Sequence, residues 1–264
     1  MSGTRTRVLA ALAGMPLALA ALFATGPAVY GLIVLLLALL ALHEYLTLCG
    51  VERLMWGAVL GCAVPLLAAV PSGHAPAVGA AVLPALALAA LWRVEDPARR
   101  FRGLAEGCFG LAYIGYAMGC LWFLRESVSD GPAWVFLVLA ATWAGDSAAY
   151  FAGSRFGRRR FAPRLSPNKT WAGAVGGLAG SIAGGCLALP LFAGGVSLPA
   201  VAGVSLGVGL AGQLGDLFES LWKRAKGVKD SGNLIPGHGG ILDRIDSLLL
   251  GIPVGFHLAR AIAP

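Results

Sequence analysis

The chain has 264 residues, 58% of them hydrophobic and only 12% charged. A soluble domain carries about a quarter charged residues, so this balance excludes an ordinary soluble globule and points to a membrane protein. The net charge of +7 calls for no nucleic-acid partner, because a one-sided distribution of Lys and Arg over membrane loops produces such an excess.

A helix needs about 20 mostly apolar residues to cross the hydrocarbon core. In chain order the candidate spans are 8–24, 27–48, 54–71, 76–92, 107–125, 132–152, 171–193, 197–222 and 241–262. They predict an all-α, polytopic integral membrane protein with about nine transmembrane helices. The whole of 1–264 reads as a single membrane domain, with its polar chemistry in 131–264 and largely apolar spans in 1–130. The first span, with Arg5 and Arg7 ahead of it, also has the make-up of a signal peptide. Only Gly26 and Pro27 separate it from the second, which favours a retained hairpin. Cys49, Cys62, Cys108, Cys120 and Cys186 form no C-x-x-C pair and no His/Cys cluster. They read as small packing residues rather than a zinc site or a disulfide framework.

Nine spans with the N-terminus inside place every Lys and Arg on one side except Arg125 and Arg260. The positive-inside bias makes that side cytoplasmic. Acids inside spans are costly and usually functional. Asp146 lies in 132–152, Asp216 and Glu219 in the last turns of 197–222, and Asp243 and Asp246 open the final span. In the expected topology all five approach the cytoplasmic end. Gln213, Asp216, Ser220 and Lys223 recur at steps of three and four, making one polar stripe, and Asp243, Asp246 and Ser247 share a face. Facing carboxylates suit a hard cation such as magnesium. The alternative is that these acids pair with Lys223, Arg224 or Arg244 as interhelical salt bridges.

The segment from Lys223 to Gly240 is basic and glycine-rich. Such glycines let backbone N–H groups turn toward an anion, and Gly239 and Gly240 precede a helix N-terminus, a favourable place for phosphate. A solvated juxtamembrane loop touching only lipid headgroups has the same composition.

The stretch Ser220–Asp246 resembles the signature of the phosphatidate cytidylyltransferases, the CDP-diacylglycerol synthases. That pattern runs S-x-x-K-R-x-x-x-x-K-D-x-x-x-x-x-P-G-H-G-G-x-x-D-R-x-D, and each fixed position is met. A second block, Asp146-Ser147-Ala148-Ala149-Tyr150 and then Ser166-Pro167-Asn168-Lys169-Thr170-Trp171-Ala172-Gly173, is similar to the family's D-S/T-x-A-Y and S-P-x-K-T-x-E-G elements, with Ala172 where Glu is frequent. The N-terminal spans match only in being hydrophobic, with His43-Glu44-Tyr45 as a weak exception.

The resemblance implies transfer of CMP from CTP to phosphatidic acid, giving CDP-diacylglycerol and pyrophosphate. It implies Asp216 and Asp243 as primary Mg2+ ligands, assisted by Asp246 and Asp146, with room for a second cation. Lys223 and Arg244 join the catalytic set, and Arg224, Lys229 and Lys169 are phosphate contacts. Ser166 and Asn168 serve the nucleotide or a structural turn, and Ser220 a hydrogen bond to metal or phosphate. His238, beside Gly239 and Gly240, either holds a phosphate oxygen or braces the turn. The implied partners are CTP, phosphatidic acid and the bilayer of a cell's inner membrane, with no nucleic acid; a homodimer is left open. Two rivals remain: an ion-coupled transporter, and a CTP-dependent transferase acting on another lipid phosphate.

Overall fold

The computed structural model describes residues 14–69, 75–91, 96–193, 195–232 and 239–263. As expected, they are overwhelmingly helical: α1 (Gly14–Ala24), α2 (Pro27–Cys49), α3 (Arg53–Ala69), α4 (Ala75–Leu91), α5 (Pro97–Gly110), α6 (Tyr116–Ser127), α7 (Gly131–Phe156), α8 (Trp171–Cys186), α9 (Leu198–Ala225) and α10 (Leu242–Ile262). A π-helical turn, Leu111–Gly115, joins α5 to α6 without a break. Six stretches are long and apolar enough to cross a membrane: α2, α5–α6 taken together, α7, α8 with its 3-10 extension to Leu191, α9 and α10. Over the described residues α1 is shorter, and α3 and α4, at 17 residues each, lie at the lower limit of a crossing.

Local chemistry sets the boundaries. Pro27 opens α2, and Gly50, at φ 67, closes it in the left-handed conformation that glycine adopts without strain. Asp96 caps α5, accepting from the N–H groups of Ala98 at 3.0 Å and Arg99 at 3.1 Å. Thr170 caps α8 through Gly173 N–H at 3.1 Å. Between α7 and α8 lies an element that the spans did not announce, an antiparallel hairpin of β1 (Arg160–Ala162) and β2 (Ser166–Thr170). Arg160 pairs with Thr170 and Ala162 with Ser166, so the Ser166-Pro167 step lies in a strand rather than in a simple turn.

The chain forms two compact units. The first is built on α2 to α5 and the segment that leads into α10. Here Tyr45 fills the space opposite Gly110, where a Cβ would come within 2.8 Å of its ring, and donates its hydroxyl to Glu106 Oε2 at 2.6 Å. Glu52 takes Arg99 at 3.3 Å and the buried Arg100 at 3.1 Å.

The second unit is built on α7, α8, α9 and the body of α10. Its α7–α8 contact is made of small residues, because lipid gives apolar side chains no reason to prefer a neighbouring helix, and close packing must hold helices together. A Cβ on Gly173 would lie 2.9 Å from Ala149 O, and one on Gly180 2.7 Å from Ala144 O. On the other side, Gly209 of α9 lies against Ser181 of α8.

Gly180→Leu should therefore force α7 and α8 apart, at about 1–3 kcal/mol for an overpacked contact. We expect a thermal midpoint in detergent several degrees below wild type, while Gly203→Ala, where a Cβ meets nothing within 4 Å, leaves it unchanged or slightly raised. Thr170→Ala should cost about 1 kcal/mol by removing the α8 cap, read in the same melting experiment.

Candidate active site

In the second unit, acids from three helices and a lysine from the hairpin come together. Asp216 lies on α9, and the ammonium group of Lys169, at the end of β2, pairs with its Oδ2 at 2.6 Å. Asp146 of α7 is within electrostatic range of both Asp216 and Lys169. Asp246 of α10 is within range of Asp216, Asp146 and Lys223. Its Oδ1 accepts from Ser247 N–H at 2.6 Å.

Glycine makes this convergence possible. A Cβ on Gly215 would approach Asp246 O to 2.5 Å, and one on Gly212 would approach Ser247 O to 3.4 Å, so α9 and α10 meet backbone to backbone at the level of the acids. On the α8 side, Gln213 donates its amide to Ala174 O at 2.9 Å, fixing the rotation of α9. The stripe of Gln213, Asp216, Ser220 and Lys223 thereby faces polar partners. Glu219, 1% exposed, pairs with Lys223 at 3.0 Å one turn on. Of the salt bridges weighed from sequence, then, Lys223 finds Glu219, while Asp216 takes Lys169.

The remaining basic candidates are placed as follows. Arg224 donates to Leu165 O at 3.4 Å and Val228 O at 3.2 Å, which ties the end of α9 to the hairpin turn. Ser166 and Asn168 flank Pro167 on β2, whose carbonyl accepts from the Arg160 guanidinium. Asn168, Lys229 and Arg244 are exposed, and Ser220 is half-buried.

In the first unit, Asp243 organises the approach to α10. Its Oδ2 accepts from Ser231 N–H at 2.8 Å, Ser231 Oγ at 2.9 Å and Gly240 N–H at 2.9 Å. Gly239, at φ 78, makes the turn that allows this. The N–H of Gly240, expected from sequence as a phosphate donor, donates to a carboxylate of the chain itself. Oδ2 of Asp243 is thus engaged by three donors of the chain. His238 lies outside the described residues.

Sequence reasoning noted Glu44 only within the weak His43-Glu44-Tyr45 match and gave it no role. Its carboxylate, 6% exposed, accepts from Ile241 N–H at 2.9 Å and Leu242 N–H at 2.8 Å, and its Oε2 lies 3.4 Å from Ser231 Oγ. An acid set in the apolar run of 27–48 was the available signal; its partner, almost two hundred residues away, was not.

Among the described residues no three Asp, Glu, His or Cys side chains are close enough to enclose a metal by themselves. The donor set is nevertheless suited to magnesium, which binds one or two carboxylates and completes its shell with water and substrate phosphates. Asp216, Asp246 and Asp146 supply oxygen only, with Lys169 paired to Asp216 and Lys223 within electrostatic range of Asp246.

The cytidylyltransferase family model matches residues 5–262. A protein of Brucella suis biovar 1 named phosphatidate cytidylyltransferase is 46% identical over 142 residues, covering 53% of this chain and 52% of that protein. Proteins of the same name from Pseudomonas aeruginosa and Thermotoga maritima are 36% and 39% identical; the first alignment covers 95% of this chain and 94% of the relative, the second 61% of each. The chain thus spans about half the length of the Brucella relative and nearly all of the Pseudomonas one. With its model matched almost from end to end, the chain belongs to the cytidylyltransferase family.

Proposed function

We propose that this chain is a phosphatidate cytidylyltransferase, moving CMP from CTP to phosphatidic acid with release of pyrophosphate. The observation that carries this reading is the grouping of Asp146, Asp216 and Asp246 with Lys169 and Lys223; all but Asp216, which lies one turn ahead of Ser220, belong to the sequence blocks that resemble the family signature.

A phosphate oxygen of the lipid attacks the α-phosphorus of CTP, and the bond from that phosphorus to the β-bridging oxygen breaks. The nucleophile already carries negative charge, so no side chain has to remove a proton from it. What the protein supplies is alignment and charge neutralisation. Lys169, Lys223, Arg244 and Lys229 contribute positive charge to the triphosphate and to the departing pyrophosphate. Arg224, engaged with two carbonyls, shapes the hairpin side of the site. Asn168 and Ser166 border the nucleotide, and Ser220 offers a hydrogen bond from the polar stripe. Asp216 and Asp246, with Asp146 beside them, would hold Mg2+, the resemblance to the family signature gives Asp243 the same role, and the oxygen-rich set has room for a second cation. When bound, such a cation neutralises phosphate charge and stabilises the leaving oxygen.

The membrane setting fits both substrates. Phosphatidic acid keeps its acyl chains in the bilayer with its headgroup at the interface, and CTP arrives from the aqueous side. With the positive-inside bias, that side is the cytoplasm of a cell whose inner membrane holds the enzyme.

Purified protein given CTP, phosphatidic acid and magnesium should release pyrophosphate and form a CDP-lipid. Asp216→Asn should lower turnover on the order of 100-fold, as expected for loss of a group that organises transition-state charge. Wild-type turnover in that variant would remove Asp216 from the site. A CDP-product formed only from another lipid phosphate would change the acceptor, and ion uptake by liposomes with no CTP consumed would favour a transporter.

The orientation has its own test. With the five native cysteines replaced, Lys229→Cys should resist a membrane-impermeant maleimide in intact cells and react in inside-out vesicles. Labelling in intact cells would reverse the topology.

A further inference from the structure

Glu44 is placed on α2, inside a span, and an ionised acid there must be met by donors. Among the described residues, its distant donors come from the segment around the start of α10, Ile241 N–H and Leu242 N–H; the Ser231 hydroxyl, whose one proton is directed to Asp243, lies 3.4 Å away. The first turn of a helix has N–H groups with no partner inside the helix, and its dipole makes that end positive. Glu44 answers both needs.

The surrounding glycines are shaped to this carboxylate. A Cβ on Gly232 would stand 3.0 Å from Glu44 Oε1, and one on Gly240 would overlap Glu44 Oε2 and Ser231 Oγ. Ser231, itself 8% exposed, links Glu44 to Asp243, since its hydroxyl lies 3.4 Å from Oε2 of one and 2.9 Å from Oδ2 of the other. The position of Asp243 thus depends on an acid of α2, far in sequence from the Ser220–Asp246 signature. One helical turn beyond Asp243 is Asp246.

We propose that Glu44 is a positioning residue for cytidylyl transfer: it fixes Ser231, Gly240 and the first turn of α10, and through them the setting of Asp243. The proposal rests on the reaction assigned above. It also means that the α10 N-terminus serves as an internal clamp for two protein carboxylates, so that phosphate binding falls to side-chain cations.

Glu44→Gln keeps the size of the side chain but turns one acceptor into a donor facing an N–H group. In folded, monodisperse protein we expect at least a tenfold loss of kcat and at least a threefold rise in the magnesium concentration giving half-maximal rate. KM for phosphatidic acid should stay within twofold, and Glu44→Asp should recover part of the lost kcat. Tyr45→Phe, which removes a buried hydrogen bond one residue away, should lower the melting temperature and leave kcat within twofold. Should Glu44→Gln fail to fold, Gly240→Ala displaces the carboxylate without altering α2 and should give the same kinetic pattern.

A readout free of substrate accompanies these. Hydrogen exchange at the amides of Ile241 and Leu242 should quicken at least tenfold in Glu44→Gln. If wild-type protein made no CDP-lipid, the reaction would be wrong while the exchange result still read the clamp. Unchanged exchange, a kcat within twofold of wild type, or equal kinetic losses in Tyr45→Phe and Glu44→Gln would each overturn the proposal.

Discussion

Inside a bilayer there is no water to satisfy a backbone N–H, a carbonyl or a charge, so each must find its partner within the protein. That constraint accounts for the almost wholly helical chain, and it also governs the polar groups that helices cannot absorb. The first turn of α10 shows it most directly. Its N–H groups are met by the carboxylate of Glu44, and Asp243 reaches back to Gly240 and Ser231 just ahead of it. Elsewhere Arg100, buried in the first unit, is held by Glu52, and Glu219 in the second by Lys223. Charges that are tolerated in this environment are those given a partner by design of the fold.

The same constraint ties packing to chemistry in the second unit. Helices in lipid associate by close approach of small residues, and α7, α8, α9 and α10 follow that rule. Glycines that let the backbones touch, such as Gly215 against Asp246 O, bring carboxylates from separate helices within electrostatic range of one another. Like charges so placed repel, and Lys169 and Lys223 offset that repulsion. A concentration of acid and base of this kind is destabilising for a purely structural bundle. It is useful where a polyanionic ligand and a hard cation are to be brought together.

Much of this was legible in the sequence because it is local or periodic. Apolar run lengths located the long helices within a few residues, with α2 ending at Cys49 and α10 starting at Leu242. The three-and-four spacing of Gln213, Asp216, Ser220 and Lys223 identified the polar face of α9 before any neighbour was known. Interactions across large separations were not legible in that way. The ion pair of Lys169 with Asp216 joins a hairpin to a helix, and no spacing rule ranks it above Lys223 or Arg224 as the partner. The hairpin itself was hidden because Arg160–Ala162 is too short to show an alternation and Ser166–Thr170 has no apolar residue but Pro167, so neither carries the apolar alternation that marks a strand. The span expected at 107–125 is part of a continuous helical stretch from Pro97 to Ser127, because the amphipathic turns before residue 107 are helical without being apolar.

Glu44 is the instructive case for anion recognition. From sequence, a glycine-rich turn entering a helix reads as a phosphate cradle, since free N–H groups and a positive helix end attract anions. At α10 that attraction is already satisfied from within, by an acid that burial in an apolar helix keeps in place. A phosphate arriving there would have to displace a carboxylate with two backbone donors, and would gain no more than it removed. An open helix terminus is thus a different object from a clamped one, although the two share the same glycines. The distinction assigns the loop a mechanical role, holding Asp243 in line at the head of α10, and under the proposed reaction it leaves the triphosphate to cationic side chains such as Lys169 and Lys229.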